Sequence, residues 1–410
     1  MCRTLCLLLS ALALSFAAAG VPCSLDPLLK TPDNWQLTQD KFEETYTSNG
    51  NKLFVWLTKD KTRAKLTPRL YANAIIELKA FEGKVPAQEV IVDFADGKLN
   101  LVSISFYNRG DNGMIDAETL KERFMTIGKA VGDMLKAAPQ RRAANPNNGL
   151  LTEGYGWDSP QMATALLEHN EGALTNGSRE FLRLRICRPN APGSLAASMR
   201  HSRGGAAAKL GDLPRNVAKN AEGDVYVDKL PMVDQGAKGY CVAASVQRLF
   251  EYYGIGADMH QIAEIAGTDP QMGTNPLYMS KQLDKIDYRF KTRLEIIAMG
   301  QPLTEVEKKR GEYYVGKPVT EAAFLKAIHS NIDDGLPLLW TLELGRYPEK
   351  PQLNPQTAGG HMRMIIGYND KTHEIIFSDS WGAGHESKRM DMTHAYQASH
   401  GLFALKPTVR

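Results

Sequence analysis

The chain has 410 residues, 43% of them apolar and 23% charged, with a net charge of +3. That balance excludes a disordered or fibrous chain and favours two globular domains. The weak positive charge gives no reason to expect a nucleic-acid partner.

At the N-terminus, Arg3 precedes the apolar run Leu5 to Phe16, and Ala17-Ala18-Ala19-Gly20 offers small residues for cleavage. Residues 1–20 are therefore expected to be a secretory signal peptide, which implies a secreted or periplasmic protein without an integral membrane segment once it is removed. Gly20-Val21-Pro22 ahead of Cys23 does not resemble a lipidation box. A mature chain would keep Cys23, Cys187 and Cys241. A disulfide between the first two would leave Cys241 as a free thiol.

Residues 24–190 read as a small α+β domain. Glu89 to Phe94 and Leu99 to Tyr107 flank Ala95-Asp96-Gly97-Lys98, a hairpin signal. Asp116 then caps a helix on which Leu120, Phe124, Ile127, Val131 and Met134 form one apolar stripe. Arg179 to Cys187 is a further strand candidate, and Asn176-Gly177-Ser178 fits an N-glycosylation sequon. No metal-ligand cluster, phosphate loop or repeat marks a chemistry here, so neither a metal nor a cofactor is expected. Residues 191–222 are rich in Ala, Gly and basic residues such as Arg200, Arg203 and Lys209, and read as a flexible basic linker. Such a joint fits an ordinary tether, or a propeptide ahead of a protease.

The chemistry is concentrated in residues 223–410. Val242, Val246, Leu249, Phe250 and Tyr253 recur at intervals of three and four, with Gly254 at the stop position, so a helix begins at Cys241. In the first turn of a helix, free N–H groups and the positive dipole end favour a thiolate. Gln235 lies six residues earlier in a turn containing Gly236 and Gly239, which can bring its amide beside the Cys241 N–H as a second oxyanion donor. Downstream, Met362 to Tyr368 and Glu374 to Ser378 are β-type runs joined by Asn369-Asp370-Lys371-Thr372. A hairpin centred near Asp370 would set His361 and Asp379 opposite one another or nearly so, with Cβ atoms about 5 Å apart. Gln235, Cys241, His361 and Asp379 are thus candidates for oxyanion donor, nucleophile, general base and orienting carboxylate.

Between the halves of this constellation, Asp258 to Ala266, Asn275 to Asp287 and Glu321 to Asp333 read as helices, the last with Phe324, Leu325 and Ile328 on one face. Pro337 to Leu342 is an apolar run suited to a buried strand. Trp381 would either shield the His361–Asp379 bond from water or fill the core.

Residues from about 224 to 407 resemble the papain superfamily of cysteine peptidases, in its bacterial peptidase C39-like branch. The family's Gln six residues before the Cys corresponds to Gln235 and Cys241. Its Gly-His pair, hydrophobic strand and Gly-Tyr correspond to Gly360, His361, Gly367 and Tyr368. Its orienting residue corresponds to Asp379, followed by Ser380, Trp381 and Gly382 as in papain's Asn-Ser-Trp-Gly. Papain's Cys-Gly-Ser-Cys-Trp is replaced by Lys238-Gly239-Tyr240-Cys241-Val242, and Asp stands for Asn. The resemblance implies an α+β, papain-like catalytic domain, with a helical half carrying the Cys and an antiparallel sheet carrying His and Asp. It also implies a thiol peptidase acting on peptide or protein substrates. The competing expectations are a papain-fold protein that binds peptide or wall polymer without hydrolysis, and a thiol acyltransferase of transglutaminase type. The transglutaminase reading does not require Gln six residues before the Cys.

Overall fold

The computed structural model describes residues 20–71, 74–111, 113–143, 152–170, 179–200, 207–274, 284, 287–300, 316–353 and 358–409. The expected signal segment, the sequon at 176–178 and most of the helix expected over 275–287 lie outside them. Among the described residues no helix is long and apolar enough to cross a membrane.

In the N-terminal half, the expected hairpin joins strands Glu89–Ala95 and Lys98–Asn108. Its tip places Asp96 at φ 55° and Gly97 at φ 73°, both left-handed, as a two-residue turn between twisted strands requires. The hairpin sits inside an eight-stranded sheet together with strand Phe181–Cys187. Helix Ala117–Leu135 covers this sheet through Leu120, Ile127 and Val131. Its cap is the one expected, the Asp116 carboxylate accepting from Thr119 N–H at 2.8 Å.

The C-terminal half is a second antiparallel sheet, ordered Val217–Lys219, Asp224–Val227, Gly360–Asn369, Leu338–Glu343, Ser399–Pro407 and Thr292–Met299. Successive side chains on a strand point to opposite faces, and both faces are covered. Met362, Met364 and Phe403 pack toward helices Cys241–Tyr252 and Met259–Ala266. Trp340, Ile365 and Leu402 pack toward helix Glu321–Asp333, whose Phe324 and Ile328 are buried. The apolar run at 337–342 forms strand Leu338–Glu343, as its composition suggests. The architecture is α+β, with the cysteine on the helical side and the histidine on the sheet.

Several expectations are corrected. The strand Glu374–Ser378 pairs with Gly360–Asn369, but the ladder matches Met364 with Ser378 and Tyr368 with Ile375, and shifts between Ile365 and Gly367. That register lies two to three residues away from a hairpin centred at Asp370, so His361 and Asp379 are not cross-strand partners. The turn is wider than the sequence suggests because His373 adopts φ 56° and joins it, and the Asn369 carboxamide accepts from the N–H groups of Lys371 and Thr372. Cys23 and Cys187 are not paired with each other. They are buried in two different apolar clusters. Within the segment 191–222, helix Ser194–Arg200 buries Ala196 and Met199, and Leu213 is buried in the core beside the cysteine helix.

Gly367 marks where the strand Asp224–Val227 comes closest to the histidine strand. A Cβ there would stand 2.5 Å from the Val225 carbonyl oxygen, which is backbone and cannot rotate away. Gly367→Ala is therefore expected to lower unfolding stability by about 1–3 kcal/mol, the usual range for overpacking. Urea denaturation checks this, and an unchanged midpoint would mean that the two strands separate freely at that point.

Candidate active site

Cys241 is the first residue of the helix Cys241–Tyr252, which is buried from Val242 to Phe250. The half-buried thiol interacts with the His361 side chain and with the backbone at Met362 and Val242. Burial alone would raise its pKa, but His361 and these backbone groups bring it below the ordinary thiol value.

His361 lies near the start of strand Gly360–Asn369, with the open glycines Gly359 and Gly360 before it. Its Nε2 is 2.7 Å from Asp379 Oδ1, which leaves Nδ1 for the thiol. Burial works against a charged ring, yet the Asp379 carboxylate and then Cys241 push His361 up to about 9. Trp381 stacks on the imidazole, ring centroids 4.5 Å apart and planes 18° from parallel. Both roles expected for Trp381 are thus narrowed to one location, directly over the histidine.

Asp379 has no exposed surface. Its Oδ1 also accepts from Ser380 N–H at 2.9 Å, its Oδ2 accepts from Arg363 Nε at 2.7 Å, and its backbone oxygen accepts from Arg248 Nη1 at 3.0 Å. Burial alone would raise the carboxyl pKa, but His361 and then Arg363 hold it well below the usual carboxylate range. Arg363 donates in turn to Glu349 at 2.6 Å, and Lys388 pairs with the other Glu349 oxygen. Arg363 and Lys388 are fully buried. These supporting residues were missed by sequence reasoning. The available signal was Arg363 itself, a cation inside the apolar run Met362 to Ile366, because a buried charge demands a partner.

Gln235 is buried and fixed at three points. Its backbone N–H donates to Ser380 O at 2.8 Å, its Oε1 accepts from Ser380 Oγ at 2.7 Å, and its Nε2 donates to Lys238 O at 2.9 Å. The amide oxygen is therefore occupied, and one N–H of the carboxamide is left for a further acceptor. The structure thus brings Cys241 to His361, hydrogen-bonds His361 to Asp379, and ties Gln235 to the same Asp379-Ser380 stretch. Among the described residues no group of three or more His, Cys, Asp or Glu side chains could hold a metal ion.

The three described cysteines should differ sharply in reactivity. Iodoacetamide at neutral pH is expected to modify Cys241 and to spare Cys187, which is fully buried, and Cys23, whose burial pushes its thiol up to about 12. His361→Ala removes the charge that lowers the Cys241 pKa, so labelling at pH 7 should slow by about tenfold for each pKa unit restored. Peptide mapping by mass spectrometry after timed alkylation checks both statements.

Residues 227–402 match the model of the Peptidase_C39 like family, and the whole of the constellation falls inside that span. No curated protein matches the chain. Among solved structures, xylellain, a cysteine protease from Xylella fastidiosa, aligns at 16% identity over 51% of this chain and 93% of its own, with a TM-score of 0.30, too low to carry any argument. The segment 227–402, which holds the thiol, the histidine and the buried carboxylate, is thus similar to the Peptidase_C39 like family.

Proposed function

We propose that the protein hydrolyses peptide bonds through an acyl-enzyme on Cys241. The observation that carries this reading is the Asp379 Oδ1 held 2.7 Å from the His361 imidazole, beside a Cys241 thiol whose pKa that imidazole lowers. The lowered thiol pKa and the raised imidazole pKa favour a thiolate–imidazolium pair before substrate arrives. The thiolate attacks the peptide carbonyl, forming the C–S bond and moving the π electrons onto oxygen. That oxygen is held by the free Gln235 N–H and the Cys241 backbone N–H. Collapse breaks the C–N bond while the imidazolium gives its proton to the leaving amine. Water then attacks the thioester, His361 taking its proton, and the acid leaves as the C–S bond breaks. Asp379 keeps the ring in the tautomer and orientation that both steps use. The apolar run after Arg3 and the small residues at 17–20 support secretion or a periplasmic location.

Cys241→Ala is expected to abolish hydrolysis of a fluorogenic peptide and labelling by a vinyl-sulfone probe, with the fold kept. Full labelling of the variant would remove Cys241 from the role. Gln235→Ala should lower kcat by about 10²–10³-fold with little change in KM, because an oxyanion donor acts mainly in the transition state.

Asp379→Asn tests the counter-charge. His361 is held up to about 9, so activity that depends on the imidazolium is present below that pH and is lost as pH rises through it. Removing the carboxylate charge lowers the imidazole pKa, so the alkaline limb of kcat/KM should move to lower pH. An unmoved limb would show that the carboxylate does not set the protonation of His361.

A further inference from the structure

The turn that carries Gln235 is held from outside its own sheet. Asp234 accepts from Lys65 Nζ at 3.2 Å, and Lys65 also pairs with Glu89. Lys238 Nζ lies 3.1 Å from Asp111 Oδ1 and 4.6 Å from the centre of the Tyr240 ring. The Tyr240 hydroxyl, one residue before the thiol, donates to Glu180, whose other oxygen accepts from Arg109 Nε at 2.6 Å. Lys65, Asp111, Glu180 and Arg109 all belong to the N-terminal half. Three residues of the stretch 234–240 thus reach across to it, and Lys65, Glu180, Lys238 and Tyr240 are all buried. Leu57 of the same half comes so near the loop after Trp381 that a Cβ on Gly382 would stand 3.4 Å from its Cδ2.

Between these contacts runs a cleft of about 1020 Å³. Gln235 and Trp381 line one side, and Val55, Leu57, Leu70 and Met114 line the other. The cleft is lined by charged side chains as well, among them Lys65, paired with Glu89 and Asp234, and Arg109, paired with Glu180, while Val55, Leu57, Leu70 and Met114 supply its apolar part on the N-terminal side. Met114 is 90% exposed and Val55 36%. An exposed apolar wall beside a peptide-cleaving site fits an extended peptide with large apolar side chains.

We propose that the N-terminal half is a standing part of the active site, fixing the turn that carries Gln235 and supplying the apolar wall of a cleft that selects the peptide running past Cys241. The proposal rests on the thiol-peptidase reading above. It makes the N-terminal half a specificity element, and it runs counter to a removable propeptide, since removal would strip Asp234, Lys238 and Tyr240 of their partners.

The test uses the full chain, a quenched fluorescent octapeptide with leucine on both sides of the scissile bond, and two truncated forms, one cut short on each side. Met114→Glu and Val55→Glu change exposed positions and leave the fold intact. They should raise KM about tenfold for the octapeptide and for one truncated form, spare the other, and leave kcat unchanged. Tyr240→Phe, at a positioning residue, should lower kcat about tenfold on all three with KM kept. Iodoacetamide labelling of Cys241, which forms no oxyanion, should keep its wild-type rate in that variant. The proposal is overturned by wild-type KM in both wall variants, by wild-type kcat in Tyr240→Phe, or by a rise in kcat/KM when proteolysis releases the N-terminal half. If the wild-type chain labels but cleaves nothing, the peptidase reading fails by itself. Fluorescence polarisation of the labelled octapeptide on Cys241→Ala protein then reads the wall alone: Met114→Glu must weaken binding about tenfold, and equal binding sinks the proposal.

Discussion

Asp379 is a carboxylate without contact to water, and much of the C-terminal half is arranged to keep it charged. An ionised carboxylate in a protein interior loses several kcal/mol of hydration, so it persists only beside cations and donors. Here His361 and Arg363 take its two oxygens, and Arg248 holds the peptide behind it. Arg363 needs its own counter-ion and finds it in Glu349, which Lys388 balances in turn. Asp379, Arg363, Glu349 and Lys388 therefore cancel one another. A proton on His361 is an extra positive charge in that set, and the neighbouring Cys241 thiolate is the group that offsets it. The activation of the thiol and the burial of the carboxylate are two sides of one charge balance. A neutral amide at 379 would leave Arg363 in excess.

How much of this was legible in the sequence depended on range. Helix Cys241–Tyr252, helix Glu321–Asp333 and the 89–108 hairpin follow from local periodicity, caps and turn residues, and each stands within a residue or two of its reading. Register did not follow, because a bulge near Ile366 and a left-handed His373 change the pairing without altering the apolar pattern. His361 and Asp379 meet by side-chain reach past the end of the ladder, a contact that strand arithmetic does not contain. The cysteines were open for a related reason: parity allows a bond, but only packing shows that Cys23 and Cys187 belong to separate cores. Arg363, Glu349 and Lys388 are scattered in sequence and have no periodicity to find.

The seam between the two halves is built differently from either core. Arg63 joins Glu251 at 3.0 Å and the Met232 carbonyl at 3.0 Å, Arg183 pairs with Asp258, and Lys65 pairs with Asp234. Such buried pairs add little net stability compared with apolar packing, but breaking one partner leaves a stranded charge. They specify one arrangement of the halves, since a displaced half meets charges that have no complement. His260 sits in this seam against Tyr240 and Phe181, held neutral first by its burial and then by Lys238, Arg183 and other cations around it.

The stacking of Trp381 on His361 has an optical consequence. An excited indole in face contact with an imidazole is quenched more strongly when the imidazole carries a proton. With ring centroids 4.5 Å apart, the emission of Trp381 is expected to follow the charge on His361. The chain contains five tryptophans, of which this one lies against that ring, so its signal is a fraction of the whole but one with a distinct titration. The indole that screens the histidine from water is also a built-in gauge of its protonation, and it can be read in resting protein with no substrate present.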